Sequence, residues 1–154
     1  MFQQSAETGF ALRHATSQDA DAIAALLSEL GYPTEATDIS SRMAAVTNDG
    51  GAVFLAVQEG EPPLGLMCLD RHYALHAAGP IAYITALVTR STARRRGVGR
   101  AFVTAAKHWA LEQGCVRISV TSAEHRNDAH AFYQACGLPY TGRRFSTSLG
   151  APAT

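Results

Sequence analysis

Between residues 81 and 112 the chain passes from a β-branched and aromatic run, IAYITALVT, through a basic loop broken twice by glycine, RRRGVGR, into a segment whose apolar residues recur at helical spacing. The last of these segments is an amphipathic helix: Ala101, Phe102, Ala105, Ala106, Trp109 and Ala110 form one stripe, while Arg100, Lys107 and Glu112 fall elsewhere. A strand that ends in a glycine-rich turn and opens such a helix gathers several backbone N–H groups in one place. Those amides, with the positive end of the helix dipole, suit a phosphate or pyrophosphate. Gly97 and Gly99 let an anion approach the backbone because they lack a Cβ. Arg94, Arg95, Arg96 and Arg100 add charge at the rim. Two other glycine-rich loops are excluded by spacing. A dinucleotide G-x-G-x-x-G needs glycine where Phe102 stands, and a P-loop needs a Gly-Lys-Ser/Thr ending that is absent. A solvated basic turn is the plainer alternative, and the flanking strand and striped helix favour the anion cradle over it.

The rest of the chain supplies a consistent frame. A short strand around Leu12 precedes a helix over TSQDADAIAALLSELG, with Thr16 as N-cap, Asp19 three residues on and Gly31 as the stop. A second helix, ATDISSRMAAVTND, closes on Gly50-Gly51. AVFLAVQ and LGLMCLD read as a hairpin of strands, and IAYITALVT as a third. After the long helix come a strand in VRISVTS, a helix in NDAHAFYQACG and a last strand in RRFSTSL. This order predicts an α/β domain around one mixed sheet. Its 154 residues are enough for a single domain over 1–154, with flexible ends at 1–9 and 150–154.

Composition removes several classes of function. Thirteen basic residues balance 13 acidic ones, so no overall field draws the molecule to nucleic acid or to an anionic membrane. Nucleic-acid binding would also want a basic stripe with stacking aromatics, and none is present. Cys68, Cys115 and Cys136 are odd in number and scattered, which suggests neither a disulfide framework nor a metal site and fits a reducing, cytoplasmic setting. No apolar stretch is long enough for a membrane span, and the opening MFQQSAETGF lacks the features of a signal peptide.

With these residues in view, the chain resembles the GNAT family of N-acetyltransferases, which move an acetyl group from acetyl-CoA to an amine. Arg94-Arg95-Arg96-Gly97-Val98-Gly99 matches the family's Arg/Gln-x-x-Gly-x-Gly/Ala loop, and AHAFYQACGL resembles its later A-x-x-F-Y-x-x-x-G-F. Within the family it is similar to the aminoalkylphosphonate N-acetyltransferases, through Arg126, Ala129, His130, Phe132 and Tyr133 and a closing Arg144, Phe145 and Leu149.

The resemblance implies a three-layer α/β/α fold whose central sheet, mixed and mostly antiparallel, splays between its fourth and fifth strands. It implies acetyl-CoA as co-substrate. The backbone of Leu87, Val88 and Thr89 would hold the pantetheine arm, the amides from Arg95 to Arg100 would hold the pyrophosphate, and Arg126, Asn127 and Phe132 would complete the cofactor site. Tyr133 would be the general acid. The base is not found where relatives carry a glutamate, because Ile84-Thr85-Ala86 holds no carboxylate. Asp70, His72 and His76 are the candidates that remain, histidine having a suitable intrinsic pKa. His14 and His130 are expected to be structural. The expected acceptor is a primary amine of a small molecule. A protein N-terminus or lysine, or a noncatalytic acyl-CoA-binding role, are the alternatives. A homodimer is expected by family analogy alone.

Overall fold

The computed structural model describes residues 9–122 and 126–150. The ends expected to be flexible lie almost wholly outside these described residues. The chain divides into a larger compact unit ending at Val120 and a smaller one beginning at Thr121.

The larger unit contains β1 (Ala11–His14), α1 (Ala20–Leu30), α2 (Ala36–Asn48), β2 (Ala52–Val57), β3 (Gly65–His72), β4 (Ile81–Thr89), α3 (Val98–Glu112) and β5 (Arg117–Val120). Its five strands form one sheet in the order β1-β2-β3-β4-β5. The first three pairings are antiparallel and the β4–β5 pairing is parallel. Both faces of the sheet are covered, which is why β2 reads as a continuous apolar run rather than an alternating one. On one face Phe54, Leu69, Ala82 and Ile84 pack with Val98, Phe102 and Trp109 of α3. On the other, Val53, Leu55, Leu66 and Val88 pack with Ile23, Leu26 and Ile39 of α1 and α2. The three-layer α/β/α arrangement is complete within this unit.

α1 is fixed at both ends by groups visible in the sequence. A short 3-10 turn, Ser17–Asp19, leads into it. The Asp19 carboxylate accepts from the Thr16 backbone N–H at 2.7 Å and from both Arg13 guanidinium nitrogens at 2.8 and 2.9 Å. At the far end Tyr32 N–H donates to Leu27 O at 2.8 Å, closing the last turn. The Arg13 contact first, and then the Thr16 amide, hold Asp19 below the usual carboxylate pKa. A depressed carboxylate stabilises the fold fully above its unfolded value of about 3.9, and that contribution disappears as pH falls through the lower folded value. Asp19→Ala is therefore expected to lower stability by about 1–2 kcal/mol at pH 7. The difference from wild type should vanish in denaturant titrations at pH about 2.

The smaller unit contains α4 (Asn127–Ala135). The strand expected over RRFSTSL does not form: residues 138–150 carry no regular structure, and Phe145 and Leu149 are 90% and 94% exposed. A strand exists only where a neighbour takes up its backbone donors and acceptors, and among the described residues no strand pairs with this segment. Arg144 is tied instead through its side chain, donating to Thr121 Oγ1 at 3.1 Å.

Candidate active site

β4 and β5 pair only from Ile81↔Arg117 to Ile84↔Val120 and then part. From Thr85 to Thr89, β4 therefore has one edge in the β3 ladder and the other unpaired among the described residues. The position of the Val88 carbonyl identifies which groups lie on the free edge. It faces β3, only 2.8 Å from where a Cβ on Gly65 would stand. Successive residues of an antiparallel strand direct their backbone groups to opposite sides. Leu87 and Thr89 thus present N–H and C=O to the unpaired edge, whereas Val88 is used by β3. The parting begins at a bulge, where Cys68 faces Ala86, Leu69 faces Ile84, and Thr85 is the extra residue. Thr85 Oγ1 donates to Cys68 O at 3.3 Å.

The basic loop follows directly. Ser91 N–H, at the start of a short 3-10 turn, donates to Glu29 of α1 at 3.1 Å. Arg95 then takes a left-handed conformation at φ 66°, and Gly97 does so again at φ 83° as the N-cap of α3. Such reversals turn successive amides toward a common point and make an anion-binding concavity. Arg95 is the only non-glycine residue with positive φ among the described residues, which carries a strain cost typical of ligand-contacting loops. Val98, Gly99 and Arg100 occupy the first turn of α3, whose N–H groups have no intrahelical partner.

The arginines divide by side chain. Arg94, Arg95 and Arg100 are exposed. The Arg96 guanidinium donates to Glu61 Oε2 at 3.3 Å and to Gln58 Oε1, both in the β2–β3 connection. Arg96 thus fastens the loop to the β2–β3 connection. Arg90, just before the loop, has a buried Nε with no hydrogen-bond partner among the described residues. It was not singled out from sequence, because nothing in its local pattern marks it.

Of the three base candidates, the structure brings two together. Asp70 and His72 lie two apart on β3 and so share a face, with Asp70 Oδ1 and His72 Nδ1 3.8 Å apart. The His72 ring lies 4.8 Å from that of Tyr83, which faces Asp70 across the β3–β4 ladder. His76 is exposed on the loop beyond β3. His14 packs on Phe54 at 4.5 Å, consistent with a structural role. Burial pushes the Cys68 thiol up to about 12 and also raises Cys115, so both remain protonated thiols rather than nucleophiles.

In the smaller unit, Arg126 and Asn127 start α4, and Phe132 and Tyr133 sit near its end with ring centroids 5.4 Å apart. Burial raises the Tyr133 phenol above its ordinary pKa, with Arg126 opposing the shift and Cys136 adding to it. The hydroxyl thus stays protonated and able to donate throughout the neutral range.

Known proteins bear on this arrangement in sequence and in fold. The chain is 30% identical over 140 residues to the aminoalkylphosphonate N-acetyltransferase of Salmonella typhimurium, covering 90% of each chain. It is 30% identical over 136 residues to the aminoglycoside N(6')-acetyltransferase type 1 of Stenotrophomonas maltophilia, covering 86% of this chain and 88% of that one. The structure of AAC(6')-Iy in complex with the bisubstrate analog CoA-S-monomethyl-acetylneamine matches with a TM-score of 0.75 at 18% identity, over 92% of this chain and 99% of that chain. The model of the acetyltransferase (GNAT) family matches residues 17–138, and the chain belongs to that family.

Proposed function

We propose that this protein transfers an acetyl group from acetyl-CoA to a primary amine of a small molecule, by direct attack of the amine on the thioester. The observation that carries the proposal is the unpaired edge of β4 running into the amide-bearing loop at α3. An extended edge followed by an anion cradle fits a ligand made of an amide-bearing arm and a pyrophosphate. Acetyl-CoA is such a molecule, and it supplies the activated acyl group.

The residues divide the work. Leu87 and Thr89 bind the arm along the strand edge and polarise the thioester carbonyl, with Val88 holding that edge in register against β3. The loop amides from Arg95 to Arg100 hold the pyrophosphate, with Arg94, Arg95 and Arg100 at its rim. By the family motif, Arg126, Asn127 and Phe132 complete the cofactor contacts, and Tyr133 donates the proton that the departing thiolate requires. Holding both reactants together supplies much of the rate, so no covalent enzyme intermediate is needed. The two relatives' names point to small-molecule acceptors, an aminoalkylphosphonate and an aminoglycoside. The proposal includes a reducing cytoplasmic setting, supported by the three free cysteines, and a homodimer by family analogy.

A thiol-release assay tests this across aminoalkylphosphonates, aminoglycosides, polyamines and free amino acids. Acetyl-CoA-dependent release with at least one of them is expected. Release with protein N-termini or lysines alone would move the acceptor to proteins. Tight CoA binding with no release for any amine would make the protein a binding module.

A further inference from the structure

An alkylamine with a pKa near ~10 reaches neutral solution as the ammonium and cannot attack until it loses a proton. β4 offers no carboxylate for this at Ile84, Thr85 or Ala86. We propose that His72 is the general base, taking the proton at Nε2, while Asp70 is a positioning residue that holds the ring from its Nδ1 side. The assignment rests on the N-acetyltransferase function proposed above.

Three features of the larger unit carry it. Asp70 Oδ1 is buried, has no hydrogen-bond partner among the described residues, and lies 3.8 Å from His72 Nδ1. The Asp70 side chain is 47% exposed as a whole, but its Oδ1 is covered and unpartnered and is placed to receive that N–H. Catalytic contacts of this kind are often long in the empty site and tighten on binding. Second, Tyr83 packs on the imidazole at 4.8 Å and limits its rotation, while His72 remains 43% exposed and open to a solute. Third, Tyr83, on which the His72 ring packs, stands one position before Ile84↔Val120, the last β4–β5 pair. His72 is opposite Ile81, six residues of β4 before Leu87, about 20 Å at ~3.3 Å per residue before the bulge at Thr85 shortens it, and Tyr83 lies between them. The imidazole side chain, one water, the acceptor's amino group and the thioester laid end to end match a span of that order.

The charged and titratable groups at neighbouring register positions are Asp70 on β3, Tyr83 on β4 and Arg117 on β5, which pairs with Ile81 opposite His72. The apolar contacts that α1 and α2 make on this face involve Leu66, Cys68 and Val88.

The protons balance. An ammonium N–H bond breaks and an Nε2–H bond forms, leaving the nitrogen lone pair to attack the thioester carbon as the C–S bond breaks. Tyr133 protonates the thiolate, and the second proton lost by the nitrogen as the amide forms restores Tyr133. His72 returns its proton to solvent, one per turnover.

The test uses the full chain with 2-aminoethylphosphonate, ethylenediamine and kanamycin as acceptors. His72→Gln is expected to lower kcat about 100-fold at pH 7, with calorimetric affinity for acetyl-CoA and the thermal unfolding midpoint preserved. The deficit is expected to narrow to about 10-fold or less by about pH 9.5, where the free amine forms unaided. Asp70→Asn is expected to lower kcat about 10-fold with KM little changed, and Asp70→Glu to recover most of it. In apo-protein NMR, the His72 ring resonance, assigned through His72→Gln, is expected to move on adding the amine. A wild type that turns over while His72→Gln keeps its rate, a deficit independent of pH, or a larger loss in His76→Gln would overturn the assignment alone. A wild type silent with all three amines would overturn the parent function and this assignment together.

Discussion

Tyr133→Phe is expected to reduce kcat and kcat/KM together by about 100-fold or more, the range for losing a positioned acid, while leaving calorimetric acetyl-CoA affinity unchanged. The substitution removes one oxygen and keeps the ring that packs against Phe132, so the helix should be undisturbed. The direction of the phenol's pKa sharpens the expectation. Burial raises it, so the proton-bearing form predominates below the ordinary tyrosine value of about 10 and persists somewhat above it. The wild-type rate should therefore show no alkaline decline attributable to this group until above about pH 10. A Phe variant that keeps most of its kcat would make Tyr133 a packing residue of α4, and the proton for the thiolate would have to come from elsewhere. A decline beginning near pH 8 and absent from the variant would contradict the direction of the shift.

Most of the sheet and its helices were legible because their signals are local. The stripe on α3, the cap at Thr16 and Asp19, and the change from helical to strand period at Gly51 each lie within a few residues of one another. The last strand was misread for the opposite reason. RRFSTSL has strand composition, but pairing depends on a distant partner that composition does not reveal. The site shows the same division. Gly97 and Gly99 announce the loop, yet the engagement of Arg96 comes from Gln58 and Glu61, 38 and 35 residues away. The strand expected over LGLMCLD stops at Asp70, and only its continuation to His72 puts both side chains on one face. That Tyr83 packs on His72 depends on a register offset by the bulge at Thr85, which no local pattern encodes.

Gly99→Val is expected to weaken acetyl-CoA binding about 100-fold, and Arg95→Ala about fivefold or less. The two variants separate backbone from charge in one loop. Gly99 is the second residue of α3 and does not share the left-handed φ of Gly97, so valine there costs the helix no intrinsic propensity relative to glycine and the protein should fold. What valine adds is a branched side chain beside the free amides of the first turn, where an anion would have to approach. Losing two charge-assisted hydrogen bonds there, at about 1.5 kcal/mol or more each, gives the hundredfold figure. Gly97→Val would be a poorer test, because its φ of 83° strains any branched residue whether or not a ligand binds. Arg95 is exposed, so its charge acts through water and is screened, worth at most about 1 kcal/mol. Calorimetry at two salt concentrations decides between them. If the backbone dominates, Gly99→Val is the weaker binder at both, and added salt costs the wild type little. If Arg95→Ala is the weaker binder and wild-type affinity falls steeply with salt, the loop is a charge patch and its glycines are only turn residues.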